Sequence, residues 1–76
     1  MKTIEAIQQM IDSSGVNASQ LSTRMGKHRN FVASTIYNGS TPRTDTLAHM
    51  ADIMGYELVL RGHGEEIPID PPGSGD

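Results

Sequence analysis

Between Asn17 and Gly39 the chain reads NASQLSTRMGKHRNFVASTIYNG, and this stretch leaves few folds open. Leu21 and Met25 are four apart, as are Val32 and Ile36, so each pair lies on one face of a helix. Gly26 falls between the pairs, where the chain must bend sharply and a positive φ is useful. Asn17 is suited to cap the first of these helices, and Gln20, three residues on, to bond back to it. Asn38-Gly39 ends the second. Two short helices, over about 18–25 and 28–37, joined by a tight turn are predicted, the arrangement of a helix-turn-helix. Val32 and Ile36 face inward on the second helix, and Arg29, Asn30, Ala33 and Ser34 lie mostly on the other side. Tyr37 is expected to pack; Phe31 suits packing and outward contact equally.

The flanking segments follow the same period. Ile4, Ile7, Met10 and Ile11 form one apolar stripe, predicting a helix over about 3–13 with Thr3 as its cap and Glu5 favourable in its first turn. Leu47, Met50, Ala51 and Met54 make the inner face of a fourth helix that Gly55 stops. Thr41-Pro42 reads as its cap and first residue, with Thr44 the other possible cap. Asp45 then lies in a first turn, where the helix dipole favours an anion. After Gly55 the period changes to two: Tyr56, Leu58 and Leu60 alternate with Glu57, Val59 and Arg61, as in a half-buried strand. Residues 65–69 suit a second strand, joined through a type II′ turn at Gly62-His63. That turn pairs Leu58 with Ile67 and Tyr56 with Ile69, and places Pro68 on an edge. The tail from Asp70 has nothing to bury and is expected to be disordered.

The helical part resembles the DNA-binding domains of phage repressors and Cro proteins, the XRE-like family. The resemblance covers roughly residues 3–56 and rests on Leu21, Met25, Gly26, Val32, Ile36 and Asn38-Gly39, followed by Pro42, Leu47, Ala51 and Gly55. The chain departs from the family pattern in three places. The interval from Gly26 to Gly39 is one residue longer than usual, Thr35 stands near a common apolar position, and Ala18 replaces a frequent glutamine. The fold implied is mainly α: a repressor-like four-helix domain with a short C-terminal strand or hairpin. Residues 1–55 are expected to form the DNA-binding domain, 56–69, on their period of two, the strand or hairpin for dimerisation, and 70–76 the tail.

Charge bears on the partner. The formal net charge is −3, which on its face opposes a polyanion. Yet no acid lies between Asp12 and Asp45, and that span holds Arg24, Lys27, Arg29 and Arg43. The rest of the chain sets Lys2 and Arg61 against all nine acids. Local charge governs phosphate contact better than the whole-chain sum. Arg29 can make two hydrogen bonds to guanine and Asn30 two to adenine, with Ala33 and Ser34 beside them as further base contacts. Ser19, Gln20, Lys27, Asn38, Gly39, Ser40 and Arg43 are the candidate phosphate contacts, which position without reading sequence.

Other chemistries find little footing. His28, His49 and His63 are dispersed without a helical HxxxH or HExxH pair. Ser13-Ser14 has no positioned base, and the side chains of Glu65-Glu66 point oppositely on a strand. Gly62-His63-Gly64 lacks the strand and helix that would make it a phosphate loop. No enzyme, metal or cofactor is expected. Cysteine is absent, no leader pattern opens the chain and no long apolar run suits a membrane span, which fits the cytoplasm. At 76 residues a single core is marginal, so burial in an oligomer is expected. The sequence points to a small dimeric repressor that binds double-stranded DNA, its homodimer interface built from Tyr56, Leu58, Val59 and Leu60. The other reading is an antitoxin that neutralises a toxin protein and represses its own operon.

Overall fold

The computed structural model describes residues 1–73. Four helices come first: α1 (Thr3–Ser14), α2 (Ala18–Arg24), α3 (Phe31–Asn38) and α4 (Thr44–Ile53). Two antiparallel strands follow, β1 (Leu58–Gly62) and β2 (Glu65–Ile69). The architecture is mainly α with a terminal β-hairpin.

The core gathers one or more side chains from every helix: Ile7 of α1, Leu21 of α2 with Met25 just beyond it, Val32 of α3, and Met50 of α4 with Met54 at its end. Ile7, Leu21, Val32 and Met50 are fully buried, and each such side chain contributes about 1.5–3 kcal/mol relative to exposure. Ile36, Ile11 and Leu47 pack around this centre half-buried. Of the apolar stripe expected on α1, Ile7, Met10 and Ile11 join the core, and Ile4 is half-buried outside it.

The helix ends show how the residues do it. The Asn17 side chain accepts the Gln20 N–H at 2.8 Å, and the Gln20 carboxamide oxygen accepts the Asn17 N–H at 3.1 Å, completing the capping box. Beyond α2, Gly26 adopts φ +76° while the Lys27 N–H reaches back to the Ser22 carbonyl. Gly39 does the same after α3, with φ +68° and the Ser40 N–H on the Thr35 carbonyl. Both are left-handed closures in which a Cβ would be strained.

Three expectations about where helices are capped or begin are corrected. Lys2, not Thr3, occupies the cap position of α1. An ammonium cannot accept a hydrogen bond, so only the reciprocal half of a box forms, with Glu5 Oε1 accepting the Lys2 N–H at 2.9 Å. Neither Thr41 nor Thr44 caps α4: Arg43 holds the cap position and Thr44 is already helical. Asp45 Oδ1 accepts the Thr46 N–H at 2.9 Å, satisfying a first-turn donor from inside the helix.

The third and largest correction concerns α3, which begins at Phe31 rather than His28. In a helix from His28, the Val32 N–H would be bound to the His28 carbonyl. Here the Phe31 N–H takes that carbonyl at 2.9 Å, and the Val32 N–H is accepted by Ser22 Oγ at 3.0 Å. Ser22 is fully buried in α2 and donates its own proton to the Ala18 carbonyl at 2.7 Å. One hydroxyl therefore ties α2 to the first turn of α3 and fixes where α3 can start. The residues from Lys27 to Asn30 form the intervening turn.

The hairpin is also re-registered. Leu58 pairs with Ile69 and Leu60 with Ile67, and the turn is His63-Gly64, not Gly62-His63. Both turn residues have positive φ, +50° and +76°, as a type I′ turn requires. Moving the turn by one residue moves the register by two, so the apolar side chains stay on one face. Tyr56 falls outside β1 because its N–H closes α4 on the Ala51 carbonyl at 2.8 Å. Of the tail expected to be disordered, residues 70–73 are placed, with Pro71 half-buried, and residues 74–76 lie outside the described residues.

Candidate nucleic-acid interface

Helix α3 turns Val32 and Ile36 toward the core and leaves Ala33, Ser34, Tyr37 and Asn38 exposed. At 100° per residue, Ala33, Ser34 and Tyr37 share the outward side. Tyr37 does not pack as expected: it is 92% exposed, because it projects between Ala33 and Ser34, turned away from Val32 and Ile36. The sequence offered a signal for this, since Tyr37 sits five residues from Val32 and is on neither inward pair. Phe31 takes the packing alternative. It is half-buried against the core, with Lys27 Nζ 5.5 Å from its ring centroid.

Arg29 and Asn30 are exposed, but they precede α3 instead of forming its first turn. Their position is held by a local brace, the Asn30 N–H donating to His28 Nδ1 at 3.2 Å. Asn30, Ser34, Asn38 and Ser40 come together along a shallow groove of about 360 Å³, floored in part by Phe31 and Thr35. Lys27, Arg29, Ala33 and Gly39 are exposed outside that groove.

Of the remaining phosphate candidates, Ser19 and Gln20 are exposed at the start of α2. The capping box already uses the Gln20 N–H and carboxamide oxygen, leaving its carboxamide NH₂ as a free donor. Arg43 is partly engaged: its Nε lies 3.5 Å from Asp45 Oδ1. Both side chains are largely in solvent, so the pair is worth at most about 1 kcal/mol and yields readily to a phosphate. Ser22, which no motif singled out, touches nothing outside but positions α3.

The acids collect elsewhere. A cleft of about 420 Å³ between α4 and the hairpin is lined by Asp52, Glu57 and Asp70 together with His49 and Tyr56. No Lys or Arg lines it. Among the described residues no group of three or more His, Asp or Glu is placed to hold a metal ion, and no helix is long and apolar enough to cross a membrane.

Fold and surface together define a class: a small mainly α protein with a terminal hairpin and one acid-free, basic stretch centred on two packed helices. No family model matches the chain, and no curated protein or solved structure matches it.

Proposed function

We propose that α2, the turn and α3 form a helix-turn-helix that reads duplex DNA, and that the protein is a sequence-specific transcriptional repressor. One observation carries this reading. The charged side chains on α2 and in the turn are Arg24, Lys27 and Arg29, all cations and all exposed, and α3 itself carries no charge. With α3 in the major groove, Ala33, Ser34 and Tyr37 meet base edges, and Arg29 and Asn30 reach in from the turn at its N-terminal end. Ser19, Gln20, Lys27, Asn38, Gly39, Ser40 and Arg43 flank it at the height of the phosphates.

Titration of a fluorescent duplex pool at increasing salt tests the reading. Affinity should fall by about 0.9 log units per log unit of salt for each phosphate that the basic block neutralises. Absence of duplex binding at low salt, or binding indifferent to salt, overturns it. The antitoxin reading draws on a different feature, the exposed apolar pair Leu60 and Ile67 near the hairpin tip, which a protein partner can cover. Copurification with the product of an adjacent reading frame would support it, and DNA binding remains part of that reading.

A further inference from the structure

We propose that β1 is a self-pairing edge. Two copies of this chain join β1 to β1 antiparallel across a two-fold axis at Val59, which sets Glu57 of each copy opposite Arg61 of the other. The sheet becomes four-stranded, in the order β2, β1, β1, β2.

The hairpin's own register selects the edge. A two-residue turn closes on a hydrogen-bonded pair, here Gly62 and Glu65. Antiparallel pairs then alternate, so Leu60–Ile67 and Leu58–Ile69 are bonded while Arg61–Glu66 and Val59–Pro68 are not. Pro68, which has no N–H, agrees with this alternation. The backbone groups of Val59 and Arg61 therefore point away from β2. Among the described residues no other strand lies there, and these groups have no backbone partner. The outer edge of β2 differs, because Pro68 removes a donor from its middle. One edge is blunted and the other is open.

Charge and shape identify a second copy as the occupant. With the axis at Val59, two Glu57–Arg61 pairs form and Leu58 lies opposite Leu60 twice. Moving the axis to Arg61 would oppose like charges, and moving it to Leu60 would set Arg61 against Val59. The chosen register also completes an apolar row: Ile67 and Leu60 of one copy continue into Leu58 and Ile69 of the other. Leu60 and Ile67 are 58% and 50% exposed in the single chain, whereas Leu58 and Ile69 are half-buried beside α4. The tip of each hairpin thus lies next to the sheltered base of its neighbour.

Sedimentation of the full chain without DNA tests this separately from the DNA reading. The wild type should be dimeric in the micromolar range, and a monomer at about 100 µM overturns the proposal. That includes the case of a chain that associates only with a different protein. Glu57→Arg should weaken the dimer roughly tenfold, since it converts two attractive pairs into repulsive ones, and so should Arg61→Glu made together with Glu66→Arg, which keeps opposite charges on the pair that Arg61 and Glu66 form within the hairpin. Combining all three changes should restore it; a dimer that both variants leave intact, or that the combination fails to restore, overturns the register. Val59→Pro removes an N–H that the hairpin itself does not use, so it should abolish the dimer with the helical circular dichroism unchanged. Persistence of the dimer in that variant overturns the assignment of the edge.

Discussion

Replacing Ser22 with alanine isolates the contact that joins α2 to α3. Both ends of that contact are sealed from solvent: Ser22 and Val32 are each 0% exposed. Without the hydroxyl, the Val32 N–H loses its acceptor and no water can reach it. A buried donor left unsatisfied costs about 1–3 kcal/mol. The proton that Ser22 gives to the Ala18 carbonyl matters less, because that carbonyl also lies in the helical ladder of α2. Alanine returns up to about 0.5 kcal/mol through its higher helix propensity. The net loss should be about 0.5–2.5 kcal/mol, against a total stability of about 4–11 kcal/mol for a chain of this length. At about 4–8 °C per kcal/mol, the melting temperature should fall by roughly 2–20 °C. Thermal and urea melts followed by circular dichroism measure this, with Ser19→Ala, exposed on the same helix, as the control expected within about 0.5 kcal/mol of wild type. A Ser22→Ala protein as stable as wild type would refute the reasoning, for it would mean the Val32 N–H has another acceptor.

The other expectations concern backbone conformation and recognition. Gly39→Ala should cost about 1–2 kcal/mol in the same melts, wholly from the left-handed backbone, because a Cβ there meets nothing within 4 Å. In binding assays, Arg29→Ala and Asn30→Ala should each lose about 1–3 kcal/mol on the preferred site and little on random duplex, while Arg43→Ala should weaken both by similar factors. If Arg29→Ala lowers both equally, Arg29 clamps the backbone instead of reading a base. Tyr37→Ala should leave the melting temperature within a few degrees of wild type, since its side chain is 92% exposed, yet reduce affinity for the preferred duplex; unchanged affinity would remove Tyr37 from the interface.

The parts of this fold that sequence reading captures are those decided by local periodicity. The i, i+4 pairs put Leu21, Met25, Val32 and Ile36 on inward faces, and Asn17-x-x-Gln20 marks the start of α2, because each signal acts within one turn of helix. The start of α3 was not legible for a corresponding reason: Ser22 and Val32 are ten residues apart and meet only after the helices pack. The hairpin register failed by two residues because Gly62 and Gly64 both suit a turn. Pro68 decides between the two placements: a turn at Gly62-His63 would put it in a hydrogen-bonded pair where its missing N–H breaks the ladder, whereas the observed turn puts it in a non-bonded pair and has His63 take a φ of +50°. The candidate interface inherits these limits. Ala33 and Ser34 stand on the outward side as expected, Arg29 and Asn30 move off the helix with its shifted start, and Tyr37 joins the surface.

Three of the six side chains at the centre of the core are the thioethers Met25, Met50 and Met54, none more than 9% exposed. Peroxide therefore reaches Met50, fully buried, only when the domain opens, and Met25 and Met54 far less readily than Met1, which is 86% exposed. Each sulfoxide formed inside adds a polar oxygen where apolar side chains supply no donor, so the first oxidation hastens the next opening. Damage to this protein is consequently self-accelerating, and the lag before the buried sulfurs react is a chemical clock for the lifetime of the closed state.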